Sequence, residues 1–191
     1  MERASEAGET LKKMCAAYDD EITRFYAGDS FRAYEFFGCH YIGEADAHLF
    51  AVWAPNARSV RVAGDFNGWG EAAEPMETYR GIHVALIPGL KDGDAYKYSL
   101  EGVDGTSYFK ADPFAFHAEC PPGTASRVCT TGGYTWNDAA YLASRGKTEA
   151  RESPVAIYEV NLASWRKFGT VPESESGPRY PDYREIADAL A

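Results

Sequence analysis

Cysteine is scarce and unpatterned: the 191 residues hold four, Cys15, Cys39, Cys120 and Cys129, with no C-x-x-C pair and no histidine at metal-ligand spacing. That argues against a zinc site or a disulfide framework, so the four read as reduced thiols, and no metal or other cofactor is expected. His40, His48, His83 and His117 likewise show no mutual spacing suited to a metal or a catalytic base. No apolar run is long enough to span a bilayer, and the opening Met-Glu-Arg-Ala-Ser-Glu-Ala-Gly-Glu-Thr has no apolar stretch of the signal-peptide kind. A cytoplasmic chain is expected. Positive charge is also in deficit: 19 Lys and Arg against 29 Asp and Glu leave a net charge of −10, and no basic stripe offsets it. Nucleic acid and anionic membrane surfaces are therefore poor partners, while a neutral ligand is compatible with the charge.

What the chain does have is turns, aromatics and enough apolar residues for one ordinary core. Eighteen Gly and ten Pro are scattered rather than repeated, and 45% of the chain is hydrophobic, which fits one β-rich domain with appendages. From Leu11 the apolar positions Leu11, Met14, Cys15, Tyr18, Ile22 and Phe25 recur at three- and four-residue steps. That spacing predicts one amphipathic helix, ended at Gly28. The aromatic stretch from Phe31 to Gly38 is too short to assign by period.

Between Ala47 and Cys129 the pattern changes to short runs of β-branched and aromatic residues bounded by Gly, Pro, Asn or Asp. Leu49, Ala51 and Trp53 alternate with Phe50 and Val52; Val60 and Val62 mark a second strand, Ile82, Val84 and Leu86 a third, Tyr96, Tyr98 and Leu100 a fourth. Thr106 to Lys110 and Ser126 to Cys129 are weaker candidates, separated by Asp112-Pro113 and Pro121-Pro122-Gly123. With no helical pattern between them, these strands predict a mainly β fold, an immunoglobulin-like antiparallel sandwich with an N-terminal helix.

A polar stretch at 144–153 reads as a linker. After it, Val155 to Leu162 is mostly apolar, the kind of run that suits a strand covered on both faces of a parallel sheet. Asp182 then offers an N-cap with Glu185 three positions on, and Tyr183, Ile186 and Leu190 begin an apolar helix face. One buried-type strand and the first turns of a helix make half of a βαβ unit, so a second, α/β domain cut short is expected. The expected divisions are a helical segment at 1–38, the sandwich at 39–143, the linker at 144–153 and the start of the second domain at 154–191.

Three stretches together resemble a known family. Phe50-Ala-Val-Trp-Ala-Pro-Asn-Ala57, followed by Val62-Ala-Gly-Asp-Phe-Asn-Gly-Trp69, resembles the sandwich modules of glycogen- and starch-active enzymes, and Tyr96-Lys-Tyr98 and Lys110-Ala-Asp-Pro113 continue the likeness. Pro154-Val-Ala-Ile-Tyr-Glu-Val-Asn-Leu-Ala-Ser-Trp-Arg166 resembles the first barrel strand and loop of 1,4-α-glucan branching enzymes. Tyr180 to Leu190 resembles the helix that follows, and Tyr34-Glu-Phe-Phe-Gly-Cys-His40 the entry to the sandwich. Asn161 stands where the family has His, and Ala163 where it has Gly.

The resemblance implies a parent that cleaves α-1,4-glucan chains and transfers them to form α-1,6 branches, with this chain as its non-catalytic front and the opening of a (β/α)₈ barrel. Retaining glycoside chemistry uses two carboxyl groups about 5 Å apart, borne on barrel loops. The family's catalytic carboxylates belong to later strands, so no catalytic residue is assigned here and the chain alone is expected to be inactive. Glu159, a lone carboxylate within a predicted strand, reads as structural.

Glucan binding is a separate matter. Sugar rings present flat C–H faces that pack on aromatic rings, while their hydroxyls need polar partners. In glycogen-binding relatives the Trp equivalent to Trp69 stacks on glucose, and the Lys equivalent to Lys97 assists. Their second stacking Trp is missing from Gly105-Thr-Ser-Tyr108, where Tyr108 is the candidate substitute, and their Asn after Gly-Thr is missing from Gly123-Thr-Ala-Ser126. Trp53 reads as core. The partners implied are α-glucan and the parent's own barrel; the competing readings are a stand-alone glucan-targeting module and the module of a debranching or trehalose-releasing enzyme.

Overall fold

The computed structural model describes residues 2–70, 73–146, 154–162, 164–166 and 182–190. Residues 1–135 form one unit and residues 136–191 a second. The first unit begins with α1 (Glu2–Ala16) and α2 (Asp19–Ala27). The single helix expected from apolar spacing is thus two, because Ala17 and Tyr18 donate to the carbonyls of Met14 and Cys15, tightening the chain into i→i−3 turns. Asp19, Asp20 and Glu21 then open α2, where negative charge favours a helix N-terminus. Gly28 does end it, at φ 73°, with its N–H on Phe25 and that of Asp29 on Arg24, a Schellman closure. Ala33–Glu35 form a short 3₁₀ turn within the aromatic stretch.

The strands are β1 (Gly38–Ile42), β2 (Ala47–Val52), β3 (Ala57–Gly64), β4 (Glu74–Pro75), β5 (Glu77–Tyr79), β6 (Ile82–Pro88), β7 (Ala95–Gly102), β8 (Ser107–Lys110), β9 (His117–Ala118) and β10 (Ser126–Arg127). One sheet runs β1-β2-β6-β5. The other runs β4-β3-β7-β10-β9, with β8 also against β7, and the pairings are antiparallel. The antiparallel sandwich is therefore formed. Phe50, Val52, Val60, Val62, Ala85, Ile87, Tyr96 and Tyr98 fill the space between the sheets. Leu49, Ala51, Ile82 and Val84 point the other way, onto Leu11, Cys15, Ile22, Phe36 and Phe37. All six residues of β2 are buried for that reason, and the order of layers is helices, sheet, sheet.

Two fixtures hold these layers in register. On the helical side, β5 and β6 are joined by Arg80 and Gly81, at φ 48° and 82°. Arg80 donates to the Asp19 carbonyl at 3.0 Å and to Thr23 Oγ1 at 3.1 Å, while Tyr26 Oη donates back to the Arg80 carbonyl at 2.9 Å. Between the sheets, Asp112 Oδ2 accepts from the hydroxyls of Tyr96 and Tyr98 at 2.7 and 3.1 Å, and Oδ1 accepts from the Phe114 N–H at 2.8 Å. Burial pushes the Asp112 carboxyl above its usual range despite these three donors.

In the second unit α3 (Ala139–Arg145) and α4 (Tyr183–Leu190) are helical. The capping box is present: Glu185 N donates to Asp182 Oδ1 at 2.8 Å and Asp182 N to Glu185 Oε2 at 3.1 Å. The strand expected from Val155 is not formed. Residues 154–161 carry no ladder, and Val155, Ile157 and Tyr158 are exposed; an apolar run becomes a strand only beside a partner strand, and none of the described residues supplies one. Trp165 Nε1 donates to Tyr158 Oη at 2.7 Å. Residues 147–153, Ala163 and the Gly/Pro/Ser loop at 167–181 lie outside the described residues. The four cysteines are free thiols, and among the described residues no helix is long and apolar enough to cross a membrane.

Candidate functional site

β7 sets the site. On it Tyr96, Tyr98 and Leu100 turn inward, so Lys97, Ser99 and Glu101 face out. Registers extend that outer face across neighbours, because residues directly opposite share a face: Ala63 lies opposite Lys97, Arg61 opposite Ser99, and Ser59 opposite Glu101. On the other side of β7, Phe109 lies opposite Ser99 and Tyr108 opposite Leu100. Phe109, half exposed, is therefore on the face of Lys97, and Tyr108 is not. Tyr108 instead shares its side with Lys110, whose ammonium lies 5.6 Å from its ring centre.

The turn after β3 delivers Trp69. Gly64 is required there by close approach: a Cβ would lie 2.4 Å from the Ala95 carbonyl and 2.6 Å from the Phe66 ring. Asn67 braces the turn by accepting from Gly64 N at 2.9 Å and donating to the Val62 carbonyl at 2.8 Å. Trp69 sits at φ 63°, a left-handed backbone that costs a non-glycine residue roughly 1–2 kcal/mol, and its N–H is held on the Gly64 carbonyl at 3.2 Å. Since Gly64 pairs with Tyr96, the Trp69 backbone is fixed one row from Lys97.

Both predicted contact groups are tethered. Trp69 Nε1 donates to Asp65 Oδ1 at 2.9 Å, and the Ala95 N–H donates to Asp65 Oδ2 at 3.0 Å. The Ala95 N–H and the indole hold the Asp65 carboxyl below the usual carboxylate range. Lys97 Nζ donates to Thr124 Oγ1 at 2.6 Å, leaving two of its three N–H donors free of that bond. Ser126 is buried and accepts from Asp112 N at 2.8 Å; it belongs to the framework.

Trp69 and Lys97 are thus brought together, while Tyr108 is placed on the other side. Phe109, Asp65 and Thr124 are the members that sequence reasoning missed. The i, i+4 spacing of Asp65 and Trp69 was a usable signal; the side on which Phe109 falls depends on the β7–β8 register. Trp53, expected in the core, lies one residue beyond β2 and is 48% exposed, edge-on to Phe25 at 5.4 Å. No group of three or more His, Cys, Asp or Glu suited to a metal exists among the described residues. A partly buried indole one row from an ammonium, with a second, outward aromatic on the ammonium's face, can pack a ring's C–H surface while donating to hydroxyls.

Residues 36–115 match the family model of carbohydrate-binding module 48 (isoamylase N-terminal domain). The sandwich is a family 48 carbohydrate-binding module. The match contains Trp69, Lys97 and Phe109; Thr124, which tethers Lys97, lies beyond it. Along its length the chain is similar to 1,4-alpha-glucan branching enzymes. That of Rhodococcus jostii is 43% identical over 179 residues, 90% of this chain and 23% of the relative, and that of Rhodospirillum rubrum is 47% identical over 144 residues, 74% and 18% respectively. The chain thus spans about a quarter or less of the relatives it matches. Among solved structures, a putative alpha amylase from Salmonella typhimurium overlaps 55% of this chain and 16% of its own, at TM-score 0.44 and 24% identity.

Proposed function

We propose that the chain is the non-catalytic N-terminal region of a cytoplasmic glycogen branching enzyme, whose whole protein cleaves α-1,4-glucan chains and transfers them to form α-1,6 branches. The observation that carries this reading is the extent of the likeness. Family 48 modules accompany several glucan-active enzymes, but 43% identity to a branching enzyme over 179 residues runs well past the module at 36–115. Within that protein the outer face around Trp69, Lys97 and Phe109 holds an α-glucan chain, and the region braces the parent's own barrel.

Affinity electrophoresis through glycogen tests the role of the face. The wild-type chain is expected to be retarded, and Trp69→Ala to lose about tenfold in affinity, the equivalent of about 1.4 kcal/mol; an unretarded wild type would remove glucan binding from the proposal. Incubation with amylose tests the non-catalytic role, since any α-1,6 anomeric signal formed by this chain contradicts it.

A further inference from the structure

We propose that Asp65 and Thr124 are the positioning residues of this face, Asp65 setting the indole of Trp69 and Thr124 the ammonium of Lys97. The proposal rests on the reading that Trp69 and Lys97 hold glucan, and adds how they are held and what each is left to offer.

Trp69 needs an external constraint. It stands in an exposed turn with a left-handed backbone, and a backbone so placed does not by itself aim a ring. Asp65 supplies the aim because its two oxygens do different work: Oδ2 is fixed by the N–H of Ala95, the buried first residue of β7, and Oδ1 takes the indole N–H. The ring is therefore referenced to β7, the strand that carries Lys97 two residues later. Lys97 has the opposite problem, a long flexible stem. The Thr124 hydroxyl, two residues before β10, accepts one of its N–H groups. Both contact groups are thus oriented from β7 and its neighbour before any ligand arrives, which lowers the ordering cost of binding.

The tethers also divide the labour. With its N–H engaged by a carboxylate, the indole offers its π face rather than a hydrogen bond, so it recognises the C–H face of a pyranose. Polar recognition passes to the two N–H groups of Lys97 not engaged by Thr124. The ligand class this fits is a neutral gluco-oligosaccharide presenting a flat ring face with hydroxyls at its edge.

The test uses the 191-residue chain with maltoheptaose as titrant, and ¹H–¹⁵N spectra to follow the indole N–H signals. Trp69→Phe assigns the Trp69 signal by its disappearance. Asp65→Ala is expected to shift that signal upfield, leave the other indole signals in place, and weaken maltoheptaose binding about tenfold. Thr124→Val is expected to weaken binding roughly three- to tenfold, and Thr124→Ser, which keeps the hydroxyl, to restore it. A framework role alone would not distinguish Val from Ser in this way. Wild-type affinity in both Asp65→Ala and Thr124→Val, with binding lost in Trp69→Ala, overturns the positioning roles and leaves the face intact. Wild-type affinity in Trp69→Ala overturns the face and the positioning roles with it. Should Asp65→Ala fail to fold, the Thr124 pair still decides the Lys97 half, and Asp65→Asn, whose single amide oxygen can accept from the Ala95 N–H or from the indole but not from both, decides the other by the same signal shift and loss of affinity.

Discussion

At the scale of single residues, the site depends on how closely two backbones approach. Gly64 is extended, so its value is lack of bulk rather than access to unusual angles. A methyl group there would meet the Ala95 carbonyl at 2.4 Å and the Phe66 ring at 2.6 Å. The ring can turn; the carbonyl belongs to β7 and cannot retreat without opening the β3–β7 ladder next to Lys97. Gly64→Ala is accordingly expected to cost about 1–3 kcal/mol, the range for overpacking a tight site. It should also release the Trp69 turn, because Ala95 anchors Asp65. Chemical denaturation gives the first quantity and the Trp69 indole signal the second; unchanged stability with an unmoved indole would show that the approach relaxes freely.

At the scale of elements, the four main strands were legible because each shows a buried set at a period of two: Phe50 and Val52, Val60 and Val62, and Tyr96 and Tyr98 between the sheets, and Ile82 and Val84 toward the helices. In β2 and β6 the alternate residues Leu49, Ala51, Ala85 and Ile87 are buried as well, and the structure gives the reason: that sheet is covered by the helices on one face and by the second sheet on the other. The helix cap at Asp182 was equally legible, since a capping box is a local arrangement of two side chains and two N–H groups. What escaped was what partners decide. Gly38 to Ile42 shows no clear apolar alternation, and becomes an edge strand because Cys39 and Tyr41 pair opposite Phe50 and His48. The apolar run from Val155 has the composition of a buried strand but no ladder among the described residues. Tyr108 and Phe109 are adjacent aromatics of equal promise in sequence, and only the β7–β8 register assigns Phe109 to the face of Lys97.

At the scale of the whole sandwich unit, the helices make the inner sheet a middle layer, and that layer holds two histidines. His48 on β2 lies opposite Ile87, and His83 on β6 lies opposite Val52, so both belong to the side facing the second sheet. Both are buried, and neither ring nitrogen of His48 has a hydrogen-bond partner among the described residues. Burial lowers the pKa of each below the ordinary histidine value; for His48 the charges of Asp92, Asp94 and Asp46 oppose the shift without cancelling it. The sign follows by linkage. Above about pH 6.5 the imidazoles are neutral folded and unfolded, and the unit has its full stability. As pH falls below that value the unfolded chain takes up protons first, so stability declines until the depressed folded values are reached. Asp112 works in the opposite sense nearer the carboxylate range, where its raised pKa lets the folded state take a proton first. The melting temperature of the chain is therefore expected to fall between about pH 7.5 and 5.5. Replacing both histidines, as His48→Leu and His83→Leu together, should flatten that slope whatever it does to the melting temperature itself. A wild-type chain with no slope in this window, or a double variant that keeps the whole of it, would place the acid sensitivity of the sandwich elsewhere.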